Sequence, residues 1–182
     1  DSDLSGQVEI HVPVVDMSGG SLGQGLSVAL CMARYGKCKE LGYQVFCIMG
    51  DGEIQEGQIW EAAMAAAHYQ ADNLIAFVDN NKLQLDGPLT EVMSPYPIGE
   101  KFKAFGWNVL EIDGHDVEQI ADAIEQASAL KGKPSVIVAD TIKGKGVSVF
   151  ENQVRFHGGQ PTKEEWEIAY TELNDRIREL EG

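Results

Sequence analysis

The chain has 182 residues, of which 43% are hydrophobic and 24% are charged, as is typical of a single soluble globular domain. Its formal net charge of −15 argues against nucleic acid or an anionic membrane surface as the main partner. No apolar run approaches the length of a membrane span. The three cysteines form no CxxC pair, which favours a reducing compartment, and we expect a cytoplasmic protein.

The chain begins with an irregular segment over residues 1–20, which is rich in Gly, Ser and Asp. Apolar residues at steps of three and four then predict a helix over Ser21–Leu41. The next segment, Tyr43–Met49, is almost continuously apolar, and this predicts a strand covered on both faces. An alanine-rich helix over Gln58–His68 and a strand over Leu74–Asp79 follow.

The second half of the chain continues the alternation of strands and helices. The predicted elements are a short helix over Ile98–Phe105, a strand over Trp107–Ile112, a helix over Val117–Leu130 and a strand over Ser135–Asp140. Thr162 and Glu165 form a capping-box pattern that starts a last helix, from Lys163 to about Leu180, within a C-terminal part over residues 159–182. We expect Trp60, Trp107 and Trp166 to be packing residues.

This alternation predicts an α/β fold, in which a doubly wound, mostly parallel sheet carries helices on both faces. We expect one domain over residues 1–182. In such sheets, ligands bind beyond the carboxyl ends of the strands. The residues that follow the predicted strands are therefore the first candidates for a functional site.

Two of these strand ends carry an unusual pair of sequences, Gly50-Asp51-Gly52 and Asp79-Asn80-Asn81. Asp51 offers a carboxylate oxygen, Asn81 an amide oxygen and Leu83 a backbone carbonyl. A few oxygen ligands of this kind suit Mg²⁺ or Ca²⁺ shared with ligand phosphates. Asp-Gly and Asn-Asn are also common turn residues, and each pair alone is more often a turn than a ligand. Their joint placement one βα unit apart favours a site.

The spacing of these two motifs resembles the thiamine-diphosphate signature, in which GDG is followed after a spacer by NN. Further segments are similar to those of transketolases. They are Gly19–Gly25, the block Gly50–Ala62, Leu85–Gly87, Phe105–Trp107, Ile112–Asp116, Lys133–Ser135, Thr141–Gly146 and Phe156–Gly158. Their order and spacing cover the chain from Val15 to Gly158. The resemblance implies the thiamine-diphosphate-binding fold and the diphosphate side of its cofactor site.

The same resemblance implies roles for particular residues. Asp51, Asn81 and the Leu83 carbonyl would hold Mg²⁺ (or Ca²⁺), and Gly52 would donate an amide to the diphosphate. His157 would reach the diphosphate and the substrate side of the thiazolium ring, as a catalytic residue.

Other residues would surround the rings of the cofactor or the neighbouring subunit. Gly20, Ser21 and Leu22 would line the cofactor, with Leu22 and Leu85 in apolar contact with its rings. Glu56, counted among the cofactor-site residues, and Glu61 would face another subunit in a carboxylate network.

Some candidates remain open. Lys143 and Lys145 form either a phosphate-binding pair or a solvated basic turn. His115 lies at a strand end, where a catalytic residue could stand, but its motif is more often structural in the family, and we leave it outside the predicted site. We expect His68, at the end of an alanine-rich helix, to be a surface or cap residue.

The resemblance further implies that the site is shared. In transketolases, a glutamate from a second domain contacts the pyrimidine ring, and substrate-facing histidines precede the GxLGQG segment; neither part is present in these residues. We therefore expect a piece of a longer protein or one component of a split transketolase, inactive alone. Its partner would be a C-terminal transketolase subunit or domain that carries the glutamate, in a dimer or heterotetramer.

With its partner, such a component would transfer a two-carbon ketol unit between sugar phosphates, as in the pentose phosphate pathway. Two alternatives stay open at this point. The chain could belong to another thiamine-diphosphate enzyme, such as deoxyxylulose-phosphate synthase or a decarboxylating ketoacid enzyme. It could also be a non-catalytic cofactor-binding or interaction module.

Overall fold

The computed structural model describes residue 8 and residues 10–182. Its main sheet has four parallel strands in the spatial order β1-β2-β6-β5, and a separate two-stranded antiparallel hairpin is formed by β3 and β4. The strands are β1 Val45–Gly50, β2 Leu74–Asn80, β3 Leu83–Gln84, β4 Gly87–Pro88, β5 Asn108–Asp113 and β6 Ser135–Asp140.

Six helices accompany the strands in the described part of the chain. They are α1 Gln24–Cys38, α2 Gly57–His68, α3 Leu89–Val92, α4 Ile98–Ala104, α5 Val117–Ala129 and α6 Lys163–Glu181, with 3₁₀ turns at Glu53–Gln55 and Val154–His157. Within the described ranges, no helix combines the length and the apolar character that would be needed to cross a membrane.

Two apolar layers hold the helices on the sheet. The larger layer lies between α1, α2 and α4 and one face of the sheet, and the smaller layer lies between α5 and the other face. In α1 the buried residues Leu26, Ala29, Leu30 and Ala33 recur at helical spacing, so one stripe of the helix faces the sheet. The smaller layer centres on Ile75 of β2 and Ile137 of β6. The prediction of a doubly wound parallel sheet with helices on both faces is therefore confirmed.

The boundaries of the elements differ slightly from those predicted, for identifiable reasons. Helix α1 begins three residues late because Gly23 has φ +83°, a left-handed conformation that cannot belong to a right-handed helix. The hairpin of β3 and β4 was not predicted, because two-residue strands have too few residues to show alternation. The capping box of Thr162 and Glu165 is present at the start of α6.

Two packing expectations were wrong. Strand β1 is not covered on both faces, since Ile48 is 78% exposed on the face opposite α1 and α2. Trp166 is exposed and stacks on Tyr170 of the same helix, whereas Trp60 and Trp107 pack in the core. A continuous apolar run indicates that both faces of a strand can be buried. It does not show whether the described residues include an element that covers each face.

Candidate functional site

The Gly50–Gly52 and Asp79–Asn81 segments lie side by side at the carboxyl ends of β1 and β2. Parallel pairing places Gly50 beside Asp79. The Asp51 amide donates to the Asp79 carbonyl at 3.2 Å, which continues the ladder for one bond beyond β1. The structure therefore brings together the two strand-end sequences that form the predicted site.

Asp51 is a buried carboxylate at the junction of these two segments, with only 1% of its surface exposed. Its Oδ1 accepts a hydrogen bond from the Gly52 amide at 2.8 Å, and its Oδ2 accepts one from the Lys82 amide at 2.5 Å. Each carboxylate oxygen keeps a further lone pair with which it could bind an ion.

Burial raises the pKa of Asp51 to about 6, and the nearby Asp79 carboxylate adds to the increase. The amides of Lys82 and Gly52 act in the opposite direction, because they stabilise the charged form. Among the residues that the structure describes, Asp51 is held by amides and forms no ion pair. Such a buried carboxylate favours a bound cation, since a cation would offset the cost of burying the charge.

The Asn81 side chain is fixed in orientation by two hydrogen bonds. Its Oδ1 accepts from the Leu83 amide at 3.0 Å, and its Nδ2 donates to Asp79 Oδ2 at 3.2 Å. Between them, Lys82 has φ +69°, and this turn directs its amide toward Asp51. Asp51, Asn81 and the start of β3 at Leu83 thus form one connected unit.

An ion in this unit would depend on few protein ligands. Among the described residues, no group of three or more His, Cys, Asp and Glu side chains could hold a metal. The candidate set has one carboxylate, one amide oxygen and one backbone carbonyl, which is a donor set for a hard cation that also binds ligand phosphates. Asp51, Asn81 and Leu83 fit Mg²⁺ in this chemical sense.

Glu53 is part of this region, and the sequence reasoning missed it. Its Oε1 accepts from the Gly23 amide at 3.0 Å, and its Oε2 accepts from the Gly50 amide at 3.2 Å. The side chain therefore ties the entry of α1 to the end of β1. The sequence places Glu53 directly after Gly50-Asp51-Gly52, and this position is a signal for a role at the site. Nothing in the sequence shows which distant amide it binds.

The residues expected around the cofactor rings are exposed. Gly20 and Ser21 lie on the surface before α1. The side chains of Leu22 and Leu85 are 56% and 64% exposed. The structure thus leaves the two leucines accessible to a ligand or a partner, in contrast to the buried Asp51.

His157 ends the 3₁₀ turn Val154–His157 and is exposed. This turn packs beside β3, the hairpin strand that begins at Leu83. The fold therefore brings the neighbourhood of His157 to the loop that carries Asn81. Glu56, at the start of α2, and Glu61, within it, are both exposed.

A second set of polar residues surrounds the same strand ends. The Tyr96 hydroxyl donates to Asn80 Oδ1 at 3.0 Å, and Asn80 Nδ2 donates to Asp140 Oδ1 at 3.2 Å. Lys82 forms an ion pair with Asp140 at 2.7 Å. Burial, followed by the charges of Asp51 and Asp140, raises the pKa of Tyr96. Tyr96 lies in a proline-rich loop, where the sequence has no signal that points to the site.

Comparisons with known proteins show the family to which the chain is similar. The family model described as "Transketolase, thiamine diphosphate binding domain" matches residues 1–174. The chain is 43% identical over 180 residues to a subunit of the apulose-4-phosphate transketolase of Phocaeicola vulgatus, covering 99% of this chain and 64% of that protein. It is 48% identical over 159 residues to the 6-deoxy-6-sulfo-D-fructose transketolase subunit SqwG of Clostridium sp., covering 87% of this chain and 58% of that protein.

Solved structures show the same similarity. The transketolase of Campylobacter jejuni superposes with a TM-score of 0.81 at 32% identity, covering 88% of this chain and 26% of that one. The chain thus spans less than two thirds of the curated relatives named above and about a quarter of this full-length structure.

Proposed function

The chain belongs to the transketolase family, as its thiamine diphosphate binding domain, and from this premise we propose that it holds Mg²⁺ and the diphosphate of thiamine diphosphate. With a partner domain or subunit, it would transfer a two-carbon ketol unit between sugar phosphates. The buried, amide-bonded Asp51 carboxylate is the observation that carries this proposal.

Asp51, Asn81 and the Leu83 carbonyl would bind the ion, and the Gly52 amide would bind a diphosphate oxygen. The Gly52 amide also donates to Asp51 Oδ1, so a small rotation would redirect it toward a ligand. Leu22 and Leu85 would contact the rings, and Gly20 and Ser21 would line the site. The cofactor supplies carbanion stabilisation when bound, and the protein supplies binding, orientation and the metal.

The names and lengths of the relatives support the proposal of a partner. Two of them are named as subunits, and the chain matches 64% and 58% of their lengths. The transketolase-like protein 2 of Homo sapiens extends much further, since the match covers 29% of it. A C-terminal transketolase subunit or domain would add the pyrimidine-side glutamate, in a dimer or heterotetramer. Glu56 and Glu61 are exposed and free to face it.

The test is a calorimetric titration of thiamine diphosphate with Mg²⁺ into the chain alone and into its mixture with a C-terminal transketolase subunit, with ketol transfer assayed in parallel. We expect turnover only in the mixture. His157→Ala should keep cofactor binding within a few-fold and lower turnover by about a hundredfold, within the range for a group that moves a proton. His68→Ala is the matched control, because His68 is exposed at the far end of α2.

Three results would contradict the proposal in different ways. No binding in either sample would contradict the cofactor assignment. Binding without turnover in the mixture would favour a non-catalytic module. Turnover with pyruvate in place of a ketose donor would favour a deoxyxylulose-phosphate synthase or a decarboxylating enzyme.

A further inference from the structure

The segment after β5 is held tightly against the segment after β6. The Gly114 amide donates to the Asp140 carbonyl at 2.8 Å. The Ile142 amide donates to Nε2 of His115, also at 2.8 Å. An imidazole nitrogen accepts a hydrogen bond only when it carries no proton, so this geometry requires the Nε2 atom to be unprotonated.

The two segments approach each other closely at Gly114. A Cβ at Gly114 would lie 2.4 Å from Thr141 Cγ2 and 3.0 Å from the Ala139 Cβ, so only glycine permits this approach. The Asp113 carboxylate accepts from the His115 amide at 2.8 Å, and the Asp113 amide donates to the Gln119 side chain at 3.1 Å. His115 is therefore presented from a rigid loop at the start of α5.

Hydrogen bonds connect the segment after β6 to the candidate metal site. The Thr141 hydroxyl donates to Asp79 Oδ1 through a short hydrogen bond. The other oxygen of Asp79 accepts from Asn81 Nδ2 at 3.2 Å, and Asn81 Oδ1 accepts from the Leu83 amide at 3.0 Å. A continuous series of hydrogen bonds and adjacent residues thus joins His115 to the Asn81 side chain.

We propose that His115 is a positioning residue for the cofactor site: it holds the segment after β6, and through Thr141 and Asp79 this segment orients Asn81. The inference rests on the proposed function, since Asn81 is the proposed ligand of the ion.

The test compares two amide substitutions at one position. His115→Gln places its Oε1 as many bonds from Cβ as the Nε2 of histidine. His115→Asn is chemically alike but one bond too short. The protection factors of the Ile142 and Leu83 amides against hydrogen exchange are measured by NMR in the full chain without cofactor, at pH 7.5.

At pH 7.5 we expect His115→Asn to lower the protection of Ile142 by about fivefold to tenfold, as for the loss of one hydrogen bond. The protection of Leu83, which reports the orientation of Asn81, should fall with it by at least about twofold. His115→Gln should retain both.

Unchanged protection of Ile142 in His115→Asn would overturn the proposal, as would a loss at Ile142 that leaves Leu83 unaffected. A titration of thiamine diphosphate with Mg²⁺ at pH 7.5 adds a second measurement, in which the Asn variant should bind several-fold more weakly than the Gln variant. If the wild type does not bind in that titration, the proposed function fails, whereas the exchange result still decides whether His115 orients Asn81.

Discussion

The two sides of the candidate site differ in how complete they are within this chain. On the diphosphate side, Asp51 is buried, and both it and Asn81 are fixed by backbone amides. On the ring side, Leu22 and Leu85 are exposed. The local backbone thus orients the polar groups, whereas the apolar contacts need a ligand or partner to cover them. Substitutions on the two sides should therefore have unequal effects.

The largest effect is expected at Asp51. Asp51→Asn removes the only carboxylate of the proposed ligand set. We expect the affinity for Mg²⁺ with thiamine diphosphate to fall by about a hundredfold or more, because the loss of a direct ligand should cost at least as much as the loss of a residue that is hydrogen-bonded to a ligand. The measurement is the calorimetric titration described above. Asp122→Asn, on the exposed side of α5, is the matched control and should leave the affinity unchanged. An equal loss in both variants would mean that the effect is not specific to the site.

Below about pH 6, the affinity of the diphosphate side for the ion should fall by about tenfold per pH unit. The ion needs an ionised Asp51, whose pKa burial raises to about 6, so affinity should fall as pH decreases below this value. Without the ion, the sign for stability is the opposite. Because the folded-state pKa is raised, the contribution of Asp51 to stability is greatest below the pKa of the unfolded chain and is lost as pH rises through about 6.

The measurement is the shift in Tm that Mg²⁺ and thiamine diphosphate produce at each pH between 5 and 8. We expect the shift to grow as pH rises through about 6, where the ion compensates the buried charge. A shift that is constant across this range would contradict the assignment of Asp51 as the ligand.

A smaller effect is expected at Glu53, which joins the segment before α1 to the diphosphate side. Glu53→Gln keeps one acceptor oxygen and loses the other, so one of the Gly23 and Gly50 amides loses its partner. We expect the free energy of unfolding to fall by about 1–3 kcal/mol, measured by urea denaturation. Glu125→Gln on α5 is an exposed control. If Glu53→Gln is as stable as the wild type, the two hydrogen bonds do not hold the segments together.

The smallest effect is expected on the ring side. Leu85→Ala should change cofactor affinity of the chain alone by no more than about twofold, because the side chain is 64% exposed and loses little burial. With the C-terminal partner present, the loss should increase to about fivefold to tenfold, since the ring and partner would then bury it. An equal loss with and without the partner would show that the ring side is already complete within this chain.

The sequence alone predicted the layered architecture and the strand ends at which the candidate site lies. Apolar periodicity defined the main helices and strands, because each element must bury one stripe or face. Gly50-Asp51-Gly52 and Asp79-Asn80-Asn81 were predicted to lie together, because parallel strands bring their carboxyl ends to the same edge. Both predictions depend on local apolar patterns and on a general rule of sheet topology, so a single sequence is sufficient for them.

Only the tertiary structure decided which distant groups are bonded to each other. Glu53 binds the Gly23 amide 30 residues away, and His115 accepts from Ile142 27 residues away. It also showed that the outer face of β1 is exposed at Ile48. Hydrogen bonds between loops and the coverage of a strand depend on the relative placement of whole elements, and residue type and spacing do not encode that placement locally.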